Sequence, residues 1–370
     1  MNTILAVAHD PGGAAALKPV LLALGKRSDT ILVTLVRNRV SFFDGVGISI
    51  ENYKPGELSF AQLCEWAFAQ LNKYAPDLLL TATSGKASVE RAFIRTAHQR
   101  GIPCLTVLDS WTNYIQRFLE PGETRLSLSV LPDTIAVIDD FAAQEMYALG
   151  FPQEILCITG QPALDELFRW GHSPEARQSQ ILIRRRYGLF PEIPLIVFIS
   201  QPIEAMYPPN TPAYRGYTEV DVLKDIMKAV SALSPRPFLL VKPHPKENHT
   251  KFMPLFEGNA SSAIVSTESS TEALVQAAEL VIGMTSIVLV QGLLLGRKVL
   301  SYQPDLVGQD ALVTSRMGLS KTLRDRPGLQ ETLRSMLAGD DASLPVLPEI
   351  WQSGRAVDRI CDLVDLNLSE

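Results

Sequence analysis

TILAVAHDPGGAAALKPVLLALGK, residues 3–26, joins an apolar run to a second apolar segment of helical spacing through an abrupt polar and glycine break. A strand that is apolar on both faces cannot have one face in water, so TILAVAH (3–9) belongs to a parallel sheet covered on both sides. AALKPVLLALGK then reads as the helix of a strand–turn–helix unit. The same alternation recurs along the chain. TILVTLV (30–36), DLLLTAT (77–83), CLTVLD (104–109), TIAVID (134–139) and ILCITG (155–160) read as strands, separated by helices over 59–74, 88–101 and near FAAQEMYALG.

Residues 164–194 break the pattern with charge, glycines, prolines and RRR at 184–186, and suit a hinge or a connecting helix. A second series follows: PLIVFIS (194–200), a helix over 219–233, FLLVKPH (238–244), SAIVS (262–266), a helix over 270–278, LVIGM (280–284), a helix over 286–296 and KVLSY (298–302). The expectation is an α/β chain of two Rossmann-like, doubly wound parallel-sheet domains, 1–165 and 190–345, facing across a cleft lined by the carboxyl ends of both sheets. RAVDRICDLVDLNL, within 346–370, is an amphipathic C-terminal helix for which a return to the N-terminal domain is one placement.

Composition narrows the function classes. With 46% hydrophobic and 20% charged residues in 370, large cores are available and global disorder is excluded. A net charge of −6 gives no overall basic field for nucleic acid, so an anionic ligand must meet a local cluster of donors. Four scattered cysteines without a CxxC pair support neither a structural zinc site nor a disulfide framework, and free thiols in a reducing cytosol are expected. No signal peptide is read at the N-terminus and no run of 18 apolar residues spans a membrane. The RRR run could touch anionic lipid, although a solvated helix face explains it more simply.

The candidate site residues lie where strands end. In HDPGG, Asp10 is placed as a general base or as the cap of the turn, and Gly12 and Gly13 either cradle a ligand or only permit close packing. In LDSWTNYIQRF, Asp109 ends a strand of the same sheet, and Trp111, Tyr114 and Arg117 suit either a sugar or an ordinary packed loop. Gln201 of ISQP ends the first strand of the second series. VKPHPKEN (241–248) sets one of only five histidines, His244, between Pro243 and Pro245 and between Lys242 and Lys246. An imidazole there can donate to a phosphate oxygen, and the prolines restrict its backbone. GMTS (283–286) opens a helix with Thr285 and Ser286, which suit phosphate or a plain N-cap, and Gln291 on that helix could reach a ribose. VSTESSTEA (265–273) is explained by capping alone.

Two Rossmann-like halves, a glycine-rich first loop, KPHP and GMTS…LLLG together resemble the GT-B glycosyltransferases, in particular bacterial enzymes with an HP motif: sialyltransferases, Kdo transferases and CDP-glycerol transferases. The resemblance implies that His244, Pro245, Thr285 and Ser286 contact the phosphate of a cytidine nucleotide donor. It spans most of the chain in architecture, but its motifs are short. Gln291 stands where many such enzymes have glutamate, and the acid motif of several sialyltransferases has only DPGG as its nearest counterpart. The expectation is an inverting, metal-independent and cofactor-free cytoplasmic transferase. It would move a sugar, CMP-linked as for sialic acid or Kdo, to a glycan or glycolipid acceptor, with Asp10 or Asp109 as base. Two alternatives remain. UDP-GlcNAc 2-epimerases share the fold and carry an HP loop, although GMTSIVLVQG does not match their Ser-Gly-Gly…Glu-Glu segment. A non-catalytic nucleotide- or glycan-binding protein would also keep the fold.

Overall fold

In the computed structural model, Asn2–Ala8 forms the first strand, β1, and its side chains alternate between two buried faces. Ile4, Ala6 and Ala8 enter one hydrophobic cluster, and Leu5 and Val7 another. The structure describes residues 2–27, 30–37, 49–53, 58–85, 89–257, 262–264, 270–339 and 344–369. The chain divides into two compact units, Met1–Glu166 with Pro348–Glu370, and Leu167–Leu347.

The first unit is built on seven parallel strands: β1, β2 (Thr30–Arg37), β3 (Ser49–Tyr53), β4 (Leu78–Thr81), β5 (Cys104–Val107), β6 (Thr134–Val137) and β7 (Leu156–Ile158). Their order is β3-β2-β1-β4-β5-β6-β7. The chain runs outward from β1 in one direction and resumes at β4 on the other side, which makes β1/β4 a topological switch point. Helices Pro11–Leu24 and Ala356–Asn367 bury Leu17, Val20, Leu21, Leu24, Ile360 and Val364 on one face. Helices Phe60–Tyr74 and Val89–His98 bury Leu63, Leu71 and Phe93 on the other. Each such side chain contributes about 1.5–3 kcal/mol by leaving water. Asp165 fixes the start of the C-terminal helix by accepting from the amides of Gly354 (3.0 Å) and Ala356 (2.6 Å).

The second unit repeats the design with six parallel strands: β8 (Leu195–Ile199), β9 (Phe238–Lys242), β10 (Ser262–Ile264), β11 (Leu280–Gly283), β12 (Lys298–Tyr302) and β13 (Lys321–Leu323). The order β10-β9-β8-β11-β12-β13 puts its switch point between β8 and β11. One face is covered by helices Glu219–Ser231 and Leu329–Ala338, which pack on Ile196, Phe198, Leu239, Val241 and Ile282.

Some expectations need correction. Strand β9 stops at Lys242 rather than at His244, because Pro243 has no N–H to continue the ladder. The 164–194 segment holds two helices, Pro162–Gly171 and Pro174–Arg186. The RRR run is not uniformly solvated. Arg184 donates to Glu279 (3.0 Å) and to the carbonyls of Phe190 (2.7 Å) and Ile193 (2.8 Å), while Arg185 and Arg186 are exposed. Of the run 265–273, residues 265–269 lie outside the described residues; Ser270 accepts from the Ala273 amide and caps helix Thr271–Ala277. The ends of the expected segments 88–101 and SAIVS, at Ser88, Val265 and Ser266, also lie outside them. Strands β3 and β13 and helix Leu329–Ala338 had no counterpart in the reading of the sequence.

Candidate functional site

In the second unit, register brings three strand ends level: Ile199 pairs with both Lys242 and Gly283. The segments that follow, Ser200–Gln201, Pro243–His244 and Met284–Thr285, therefore start side by side at the switch point. Gln201 reaches across it, and its Oε1 accepts from the Thr285 amide at 2.9 Å. A side-chain oxygen thus lies against an amide at the approach to helix Ile287–Leu294. Ser286 is the N-cap of that helix and accepts from the Val288 amide (3.2 Å), which is the capping role foreseen for it. Gln291 is half-buried one turn further along.

His244 is half-buried and its ring is oriented. Nδ1 accepts from the Lys246 amide at 3.1 Å, so the neutral ring carries its proton on Nε2 and presents it as a donor. Burial lowers its pKa and the charge of Lys246 acts the same way, with Glu247 opposing. The loop rests on a buried ionic group. Glu247 accepts from the His244 amide (2.6 Å), from Ser200 Oγ (3.0 Å) and from Lys251 Nζ (3.0 Å), and Lys251 also pairs with buried Glu219. Glu219 in turn accepts from the Glu204 amide (2.8 Å). Pro245 lies within this loop, between His244 and the Lys246 amide. Lys242 is not a solvent-facing flank of His244: it is only 5% exposed, and burial lowers its pKa against the opposing charge of Glu272.

In the first unit, Val7 pairs with Thr81 and Thr81 with Thr106, so the segments leading to Asp10, Thr83 and Asp109 also start level. Asp10 is the N-cap residue of helix Pro11–Leu24, but its side chain does not cap that helix; Oδ2 accepts from the Gly85 amide at 3.0 Å. Asp109 Oδ1 accepts from Arg117 Nη1 and Thr83 Oγ1, both at 2.5 Å. Its Oδ2 lies against Gly12, where a Cβ would come within 2.7 Å. A Cβ on Gly13 would approach Ala82 Cβ to 2.6 Å and the Thr83 carbonyl to 2.8 Å, so only glycine lets the first turn close on the β4 loop. Burial pushes the Asp109 carboxyl up, Arg117 and Thr83 oppose it, and Asp10 adds to the rise.

Glu90, not identified from the sequence, lies beneath these loops. It is 3% exposed, and Oε1 accepts from the His9 amide (2.8 Å) and Ser84 Oγ (2.5 Å). Oε2 is buried without a hydrogen bond among the described residues. Burial raises its pKa to about 7, against the bonds from Ser84 and His9 and with the help of Asp10. It reads in sequence as an ordinary first-turn acid of a helix, which is why nothing marked it.

The aromatic residues serve the core. Trp111 is 2% exposed, its ring lies tilted against Trp351 with centroids 5.2 Å apart, and both indoles donate to Asp139 at 2.7 Å. It offers no open face to a sugar, a correction to the ligand role. Tyr114 is likewise buried, its hydroxyl donating to Glu145 at 3.0 Å. Arg117 is held on Asp109 and on the Thr112 carbonyl (3.0 Å).

Two Rossmann-type parallel sheets with switch points of this kind are matched over the full chain by solved structures. The fold is GT-B-like. The chain is similar to the UDP-GlcNAc 2-epimerase of Neisseria meningitidis bound to UDP-GlcNAc, with a TM-score of 0.69 and 13% identity, covering 98% of this chain and 99% of that one. It is similar to the UDP-GlcNAc 2-epimerase of Methanocaldococcus jannaschii at a TM-score of 0.71 and 14% identity, covering 98% and 99%. A glycosyltransferase of Rickettsia africae matches at 0.62 and 12%, covering 99% and 94%. No protein-family model matches the sequence, and no curated protein does.

These structures are enzymes of one fold, and they correct the expected donor. Those described with a nucleotide hold UDP-GlcNAc or UDP rather than CMP, so the CMP-sugar transferase is not supported. The physical reason is plain. A histidine donor and a hydroxylated helix start answer to phosphate and carry no information about the base. No described helix is long and apolar enough to cross a membrane.

Proposed function

We propose that this chain is an enzyme that inverts C2 of a UDP-linked N-acetylhexosamine, in the manner of the UDP-GlcNAc 2-epimerases whose fold it shares. One observation carries the reading: the level strand ends of the second unit set the Nε2–H of His244 and the Thr285 amide beside one switch point. Both are donors of the kind that offset charge on a diphosphate. In this reading the Gln201 oxygen holds the place of a phosphate oxygen until nucleotide arrives.

The chemistry then sets requirements for the first unit. The C2–H bond of a saturated sugar is not acidic, so its proton leaves as the C1–O bond breaks and the electron pair departs with UDP. Return of a proton to the opposite face of C2, with UDP re-adding at C1, gives the epimer and balances the reaction. Asp10 and Asp109 supply the proton-transfer groups. Glu90 positions the His9–Asp10 segment from below. The glycosyltransferase among the similar structures shares the fold, but no described residue identifies an acceptor.

The test is exchange in deuterium oxide. UDP-GlcNAc incubated with the protein is expected to give UDP-ManNAc carrying deuterium at C2, read by proton NMR. Asp10→Asn and Asp109→Asn should each slow exchange by at least about 100-fold, in the range of a lost general base. Gln201→Glu, which sets a negative charge at the phosphate position, should weaken UDP binding while leaving the fold intact. Binding of UDP without any C2 exchange removes the epimerase chemistry and leaves a nucleotide-binding protein. No binding of UDP at all sinks the reading.

A further inference from the structure

At the amino edge of the first sheet, remote from Asp10 and Asp109 at the carboxyl edge, three side chains of different chemistry converge. His98 closes helix Val89–His98, Cys104 opens β5, and Asp133 directly precedes β6. One ligand-type atom from each, an imidazole nitrogen, Sγ and a carboxylate oxygen, lies within 4.8 Å of the others. We propose that His98, Cys104 and Asp133 form a site for a borderline-soft divalent cation of the zinc class.

One separation in the group matches such an ion. Tetrahedral bonds of about 2.0–2.3 Å put neighbouring ligand atoms roughly 3.3–3.6 Å apart. His98 Nε2 stands 3.7 Å from Asp133 Oδ2, too long for a hydrogen bond and close to that spacing. Nε2 is shut off from water and makes no hydrogen bond among the described residues. A buried ring nitrogen without a hydrogen bond is uncommon, and this one faces the Asp133 carboxylate at ion-pair rather than hydrogen-bond distance.

The surroundings already hold two of the three groups in place. The Cys104 amide donates to Asp133 Oδ2 at 2.7 Å, which pins to the strand the same carboxylate oxygen that faces His98 Nε2. The thiol donates to the Ile102 carbonyl at 3.4 Å, a weak bond that the thiolate would give up on binding a cation. Half of the Asp133 side chain and a quarter of that of His98 remain in solvent, which provides an entry path and room for a water as fourth ligand. Binding requires the thiolate, so the ion displaces one proton from Sγ to solvent while His98 binds as neutral imidazole and Asp133 as carboxylate. An N/S/O donor set favours zinc, cobalt or copper over magnesium or calcium. None of these residues belongs to the proposed epimerase machinery, so the site stands or falls independently of it.

Cobalt(II) titration of the full chain, without thiol reductant and under nitrogen, tests this directly. The expected result is a saturable thiolate-to-cobalt charge-transfer band in the near ultraviolet, with intense visible bands of tetrahedral cobalt, bleached when zinc is added. Cys104→Ser should abolish the charge-transfer band. His98→Asn should weaken binding by more than the roughly 10–100-fold that follows loss of an outer-shell partner. Circular dichroism of each variant without metal separates loss of binding from loss of fold. Absence of the band in the wild-type protein overturns the site, as does a band that persists in Cys104→Ser.

Discussion

Glu90 has the burial of a core residue and the chemistry of an acid. With both neighbouring loops bonded to Oε1 and no hydrogen bond to Oε2 among the described residues, its carboxyl keeps its proton until about pH 7, where an unfolded glutamate has lost it near 4.5. The sign follows from that inequality. A folded-state pKa above the unfolded one means that stability is fully present below the unfolded value and is lost as pH rises through the folded value. The loss therefore falls between about pH 4.5 and 7, and amounts to something on the order of 3 kcal/mol from the shift from 4.5 to about 7. Glu90→Gln keeps the acceptor for His9 and Ser84 and removes the charge. Urea unfolding at pH 5 and pH 8 should show the wild type losing stability relative to this variant by a few kcal/mol. Parallel pH profiles for the two proteins would mean that Glu90 is not titrating in that window.

At the scale of elements, the KPHP loop is held by a cluster that its own sequence hardly announces. Glu247 and Glu219 are buried, and both answer to Lys251, which lies in the short helical turn His249–Phe252. Removing one partner of a buried ionic group strands the other, at about 3–5 kcal/mol. Lys251→Met should cost that much in urea unfolding, and adding Glu219→Gln and Glu247→Gln should restore most of it. A loss below about 1 kcal/mol would place Lys251 among ordinary surface pairs.

The same loop shows what was legible in the chain. Strands β1, β4, β8, β9 and β11 were readable because both of their faces are buried and their residues are apolar throughout. His244 was readable because it follows such a strand. β3 (SIENY) and β13 (KTL) are outermost in their sheets and carry polar residues, so continuous apolarity could not reveal them. The contacts of Glu90 with His9, Glu247 with Ser200 and Asp133 with Cys104 span 81, 47 and 29 positions, which no local spacing encodes. Trp111 misled for the opposite reason: an aromatic in a strand-end loop looks the same whether it meets a sugar or the Asp139 carboxylate.

At the scale of the molecule, each unit carries its own sheet, its own core and its own switch point, and the chain enters the first unit at both ends. Leu167–Leu347 is continuous in sequence, whereas the first unit needs Pro348–Glu370, whose Ile360 and Val364 enter its core. The donors assigned to nucleotide, His244 and Thr285 with Gln201, all lie in the continuous unit, and so does the Glu247–Lys251–Glu219 support. A fragment comprising 167–347 is therefore expected to fold and to bind UDP without turning over UDP-GlcNAc. At UDP 100-fold above Kd, mass action adds about 2.7 kcal/mol, which for a unit of this size raises Tm by roughly 5–11 °C. His244→Ala in the same fragment should shrink that shift. A fragment that folds, as judged by a cooperative melt, yet gives no shift with UDP while the full chain does would show that nucleotide is gripped by residues outside 167–347, and would move the candidate phosphate site away from the KPHP strand end.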